Sequence, residues 1–304
     1  MSEKAKMKGP SIMAAMTTLT LAATLACNGV GRQSTGSGAH NDLVFAGCYA
    51  PNATTGNVDC GIASTFGDPN SDAAVQSEAA NQYQFWAGIP ANVHPWNDCN
   101  GPNAVSLPSG DILYGVNLFQ QLVAAYGGDA GPISGVLAHE WGHQVQFDNG
   151  WFMSSEPTAR PIELEADAFS GFYMALGESY SWTSIDDYFS ALASKGDYNF
   201  TDPSHHGTPE ERLAAAQLGF QAAVEVIQTQ TPLTYADLHQ IFSTAISGFD
   251  EHQVFNTNDQ NPVANDFLSR LDIAQVLEIL NGVSHGKETT VPDLENRQHL
   301  YPRK

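Results

Sequence analysis

The sequence predicts a mainly α-helical α+β domain with one small sheet, and three observations carry that expectation. Apolar residues recur at helical spacing in eight separate stretches, several of them bounded by start and stop signals. The β-prone runs are few and short, the clearest being the two on either side of Pro108-Ser109-Gly110. With 304 residues, 42% of them hydrophobic, the chain can bury a substantial core.

The elements follow in order. Lys4, Lys6 and Lys8 precede an apolar run from Ser11 to Ala26 that is short for a membrane span, so residues 1–26 read as an export signal. That run ends in Thr24-Leu25-Ala26-Cys27, which resembles a bacterial lipobox and implies a lipid anchor on Cys27; ordinary cleavage, giving a periplasmic or secreted product, is the alternative. Residues 27–41 are rich in Gly and Ser and fit a flexible tether. The domain is expected over 42–283, with a loosely ordered tail over 284–304. Leu43 to Ala50 is a short β-prone run, and Cys48 with Cys60 is the natural disulfide because only eleven residues separate them; Cys99 is then unpaired or exchanges roles with one of the two.

Helical spacing of Ala73, Val75, Ala79, Tyr83 and Trp86 predicts a helix over 72–86. Residues 90–103 hold three prolines and read as a loop, in which His94 is a surface or packing residue rather than a ligand. Residues 103–115 read as a hairpin and 117–126 as a helix stopped by Gly127-Gly128. Asp129, Gly131 at the cap and Pro132 at the first helical position then form a start signal and Asp148-Asn149-Gly150 a stop signal, with Ile133, Leu137, Trp141 and Val145 as an apolar stripe between them. Gly142 inside this helix costs roughly 1 kcal/mol relative to Ala, which predicts a close neighbour there. Further helices are expected at 161–177, 184–194, 209–228, 235–247 and 265–281.

The 131–149 helix carries His139-Glu140-Trp141-Gly142-His143. Histidines four apart fall about 40° apart around a helix, so both imidazoles reach one metal ion from one face. Glu140 stands beside that face, where a carboxylate can take a proton from an attacking water. This is the chemistry of a zinc hydrolase, with one Zn2+ per chain, and it requires a third ligand. Glu163 and Asp167 share one face of the following helix, so one can bind the metal while the other accepts a hydrogen bond from a ligand imidazole. Glu165 lies about 200° from Glu163 and Glu156 sits in the preceding loop; these two are the runners-up.

The set H-E-W-G-H followed by E-L-E-A-D resembles the gluzincin metallopeptidases. His206-Gly207-Thr208-Pro209-Glu210-Glu211-Arg212, followed by Gly219-Phe220, is similar to the H-G-[ST]-x-x-x-R segment of the bacterial neutral zinc metallopeptidase family. The segment Asn103-Ala104-Val105-Ser106-Leu107-Pro108-Ser109-Gly110 is similar to N-A-x-x-L-P-x-G in the CAAX-protease-like zinc peptidases. Together these motifs span roughly residues 100–220. The resemblance implies a zincin-like metallopeptidase domain in which His139, His143 and Glu163 bind zinc and Asp167 orients a ligand imidazole. It further implies that Glu140 is the general base, that His206 donates to the developing oxyanion, and that Arg212 braces the site by pairing with an acid. His205 is the competing histidine for the oxyanion role. The strand beginning at Asn103 and Ala104 would be the edge on which an extended peptide or protein substrate pairs.

Charge narrows the alternatives. Twelve Lys and Arg against 33 Asp and Glu give a formal −21, which argues against nucleic acid as a partner and leaves the lipid anchor as the expected membrane contact. Two rival readings stand beside the endopeptidase. One is an envelope binding or assembly lipoprotein with a structural or relic zinc site, and the other a zinc hydrolase of a non-peptide amide.

Overall fold

The computed structural model describes residues 60–304 apart from 128, 153–156, 194, 250–260, 287–288, 290 and 293–295. The export signal, the tether, Cys27, the 43–50 run, Cys48 and Glu156 lie outside the described residues. Helix α1 (Pro69–Phe85) leads into strand β1 (Asn92–Trp96), then β2 (Ala104–Leu107), β3 (Asp111–Gly115) and α2 (Val116–Tyr126). Helices α3 (Gly131–Asn149), α4 (Arg160–Leu176), α5 (Trp182–Ala193), α6 (Pro209–Thr229) and α7 (Tyr235–Ser247) follow, then α8 (Pro262–Arg270), α9 (Ile273–Leu280) and a 3-10 turn (Gln298–Leu300). The protein is thus mainly helical with a small sheet. Among the described residues no helix is long and apolar enough to cross a membrane.

The expected hairpin forms: β2 pairs antiparallel with β3, Ala104 opposite Tyr114 and Leu107 opposite Asp111. The 90–103 segment is not all loop, because β1 pairs parallel with β3 and gives the sheet order β1-β3-β2. Pro95 concealed this strand from the sequence; a proline is tolerated there because β1 lies at a sheet edge. His94 binds Asp111 at 2.9 Å and takes no part in the metal cluster.

Helix α3 is buried from Gly131 to Gln146, a helix enclosed on all sides rather than lying on a surface. On one side the sheet holds it, with the Ser106 hydroxyl donating to the Glu140 carbonyl and Gln144 Nε2 donating to the Leu107 carbonyl. On the other side is α4. A Cβ at Gly142 would stand 3.1 Å from both Ala166 Cα and Phe169 Cβ, so the close neighbour expected from the sequence is α4. Helix α4 packs equally closely on α6, because side chains at Gly171 and Gly219 would run into the backbone of Ala216 and Ala168 respectively. Sheet, α3, α4 and α6 therefore stack in sequence, and the central helices can bring polar residues to one buried point.

Several expectations need correction. Cys60 pairs with Cys99, at a Cα–Cα distance of 6.1 Å, not with Cys48. The reason is tertiary: Ile62 bridges Trp96 on β1, and Asn97 Nδ2 donates to the Cys60 and Gly61 carbonyls, which carries residue 60 to the loop after β1. The single helix expected over 265–281 is two, broken at Leu271-Asp272, where the Asp272 side chain accepts from Gln275 N and starts α9. The residue capping α3 is Ala130, and Gly131 is already helical. The tail is docked in its described parts. Leu300 is fully buried, Arg297 donates to the Ala175 carbonyl, and the His285 carbonyl accepts from Trp182 Nε1.

Candidate metal centre

Helix α3 presents His139 and His143 one turn apart, and α4, held against it at Gly142, presents Glu163 to both. His139 Nε2 is 3.3 Å from Glu163 Oε2, and His143 Nε2 is 3.6 Å from Glu163 Oε1. All three side chains are buried, and one ligand atom from each lies within 4.8 Å of the others. His139 Nε2 and both Glu163 oxygens form no hydrogen bond, although burying such atoms without partners is costly. Ligands at 2.0–2.1 Å around one tetrahedral ion stand about 3.4 Å apart, so the spacing and the donor set both fit a shared cation. The group can hold a metal ion.

Glu163 and Asp167 divide their work as their shared face suggests. Asp167 Oδ1 accepts from His139 Nδ1 at 2.9 Å, which turns Nε2 toward Glu163. Arg212, on α6, clamps the same carboxylate, with Nε to Oδ2 at 2.8 Å and Nη2 to Oδ1 at 2.9 Å. Burial alone would raise the Asp167 and Glu163 carboxyls. For Asp167 the Arg212 and His139 charges outweigh it, and for Glu163 the His143 and His139 imidazoles do, so both are held below the usual range. Burial likewise opposes charge on His139, but Asp167 and then Glu163 overcome it and push the imidazole up to about 10. A field that attracts a proton so strongly to this point also attracts a divalent cation.

Glu140 is buried beside this group, and its Oε2 has no hydrogen-bond partner. Burial raises its carboxyl to about 7 against the pull of His139 and His143. His206 is also buried with Nε2 unpartnered; burial lowers its pKa, while the Glu163 charge pulls the other way, so the ring is close enough to feel the metal group without joining it. Gly207, at φ 94°, has the left-handed backbone that L side chains avoid, and a Cβ there would stand 2.8 Å from Leu164. His205 Nδ1 lies 2.8 Å from Asp197 Oδ1, and His206 Nδ1 is 3.9 Å from Oδ2 of the same carboxylate, so Asp197 stands beside both histidines.

Comparison with family models, with curated proteins and with solved structures finds no match to this chain. The functional reading therefore stands on its residues.

Of the remaining expected positions, Asn103 is buried before β2, its amide donating to Asp98 Oδ2 at 3.2 Å, and Ala104 opens the strand. Glu165 does point away from Glu163's partners. It accepts from Gln146 Nε2 at 2.8 Å and lies 2.6 Å from His239 Nδ1. Sequence reasoning overlooked Gln146, whose Oε1 lies 2.8 Å from His143 Nδ1. The signal was available, since Gln146 stands three residues after His143 on the same helix face. Asp197 and His239 had no comparable signal.

Proposed function

We propose that this chain is a zinc-dependent endopeptidase of gluzincin type, related to the bacterial neutral zinc metallopeptidases, with a zincin-like fold. The observation that carries the reading is Glu140. A structural or relic metal site has no use for a buried carboxyl with an unpartnered oxygen beside its ligands, whereas hydrolysis requires a base there. Zinc held by His139, His143 and Glu163 would supply Lewis-acid polarisation of the scissile carbonyl and acidify the attacking water. Glu140, with a carboxyl raised to about 7, is suited to take a proton from that water and return it to the leaving amine. His206 brings an unpartnered ring nitrogen to the same region and serves as donor to the developing oxyanion. Asp167 and Arg212 orient the His139 ring.

A peptide substrate is supported by β2, which among the described residues has a strand neighbour on one side only. Gly115 N donates to the Asn103 carbonyl, so by antiparallel alternation Ala104 and Ser106 turn their backbone groups away from β3. A pocket of about 320 Å3 at the end of β2 is lined by Ile89, Pro90, Pro108, Phe147 and Phe152 among others, and suits an apolar side chain of the substrate. The depth at which His139, Glu140, His143 and Glu163 are buried favours a second reading, hydrolysis of a small amide in a closed pocket. Export and lipid anchoring through Cys27 complete the proposal on sequence grounds.

The test compares the chain with Glu140→Gln for metal content and for cleavage of an unstructured protein and of small amides. About one zinc in both, and loss of roughly 100-fold or more of the peptide cleavage in the variant, is the expected result. Equal cleavage by the variant removes Glu140 as base. Cleavage of small amides alone selects the second reading.

A further inference from the structure

We infer that Gln146, Glu165 and His239 form a positioning relay that fixes His143 for metal binding through Nε2 and ties the metal centre to a ring stack at the rim of the domain. The inference rests on the metal-binding part of the proposed function.

The relay is determined by hydrogen-bond direction. Gln146 Nε2 lies 2.9 Å from the Ile162 carbonyl and 2.8 Å from Glu165 Oε2, both of which only accept. The amide nitrogen must therefore face α4, which turns Oε1 toward His143 Nδ1 at 2.8 Å. An amide oxygen also only accepts, so Nδ1 of His143 carries the hydrogen and Nε2 presents its lone pair to the metal group. Glu165 in turn takes a second donor, His239 Nδ1, at 2.6 Å. A carboxylate offers one acceptor oxygen to each donor, Oε2 to Gln146 and Oε1 to His239.

The outer end is built rather than incidental. His239, on α7, is partly exposed and stacks on Trp151 with ring centroids 4.1 Å apart and an 8° tilt. Trp151 follows α3 directly, and its amide donates to the Gln146 carbonyl at 2.9 Å. The backbone of one relay member is thus tied to the ring that covers the last member. Asp167 on α4, held by Arg212 on α6, orients His139, and this relay, anchored at its outer end on α7, orients His143.

The experiment measures zinc affinity by chelator competition, and the visible spectrum of the cobalt-loaded chain, for the parent, Glu165→Leu, His239→Ala and His239→Asn. Glu165→Leu is expected to weaken zinc about 10- to 100-fold and to shift the cobalt bands, because the ligand ring is free to turn; a loss of stability alone leaves the spectrum of the folded, loaded chain unchanged. His239→Ala moves both readouts in the same direction, and His239→Asn, which keeps a side-chain N–H donor, restores them. Zinc binding within about threefold of the parent and an unchanged spectrum in Glu165→Leu overturn the relay; where that variant does not fold, His239→Ala decides by the same criteria. A parent that binds no zinc overturns the metal reading and the relay together. A parent that binds zinc without cleaving peptides overturns only the peptidase, and the relay is decided as before.

Discussion

The Asp167 carboxylate accepts from His139 Nδ1 at 2.9 Å while the Arg212 guanidinium grips both of its oxygens, and all three side chains are buried. This links α3, α4 and α6 at one charged point. Breaking a buried pair leaves one charge uncompensated, which typically costs about 3–5 kcal/mol, whereas replacing both partners costs less. Asp167→Asn is therefore expected to lose about that much stability in chelator and, with metal present, to bind zinc about 10- to 100-fold more weakly. Denaturant unfolding of Asp167→Asn, Arg212→Leu and the double variant checks this. Strictly additive losses mean that the two are not coupled.

Gly219→Ala tests the approach of α6 to α4. Alanine is the better helix former by about 1 kcal/mol, so propensity alone predicts stabilisation. The added methyl would strike the Ala168 carbonyl, which is helix backbone and cannot turn aside. Overpacking of this kind costs about 1–3 kcal/mol or more, and net destabilisation is expected. Because α4 carries Glu163, the same variant should also bind zinc less tightly. A rise in melting temperature contradicts the packing described.

The parts of this molecule that sequence reveals are those set within a turn or two of chain. His139 and His143, and Glu163 and Asp167, are legible because a spacing of four fixes a shared face whatever the rest of the fold does. Most helices are legible for the same reason, down to Tyr235–Ser247. What escaped depends on distant chain. His239 meets Glu165 across 74 positions, so no local pattern marks it. The Cys60–Cys99 bond follows from the course of β1, and β1 was hidden by Pro95. Leu300 and Arg297 looked like tail residues because their partners lie on elements far back in the sequence. Asp272 reads as one more residue of a helical run, and only its side-chain bond to Gln275 N reveals the break.

The Cys60–Cys99 disulfide closes a loop with a sequence separation of 39. Constraining that loop in the unfolded chain contributes about 4 kcal/mol in the chain-entropy account, with measured values usually about 2–4 kcal/mol. The loop contains α1 and β1, so reduction is expected to lower the melting temperature while the candidate ligands on α3 and α4 stay assembled in the folded state. Thermal unfolding with and without reductant, and of Cys99→Ser, checks the effect. An unchanged midpoint means that the bond constrains little.

Glu78 sets a pH dependence of stability away from the metal centre. The Tyr173 hydroxyl lies 2.8 Å from Glu78 Oε1 and 2.8 Å from Glu178 Oε1, yet it has one proton to donate. A second proton, on Glu78, satisfies both contacts. Burial first, and then the Glu178 charge, push Glu78 up to about 7, while bonds from Gln82 and Tyr173 pull it down only in part. Tyr173 itself stays protonated, since burial and the two carboxylates raise it. Among the described residues the other groups coupled to the pair include Ser134 on α3, Tyr114, Tyr180 and Tyr301, and none of these supplies a positive charge. The folded state therefore holds a proton that the unfolded state releases near pH 4.5. Its stabilising effect is complete below that pH and is lost as pH rises through about 7. A shift of this size corresponds to about 3 kcal/mol. Glu78→Gln supplies an amide N–H to the Tyr173 oxygen in place of the carboxyl proton and has no proton to lose. The difference in unfolding free energy between parent and Glu78→Gln should thus change by about 3 kcal/mol between pH 4.5 and pH 8, in favour of the variant at the higher pH. Parallel curves for the two chains across that range would mean that Glu78 is ionised in the folded protein, and that the two carboxylates share the tyrosine by some other arrangement.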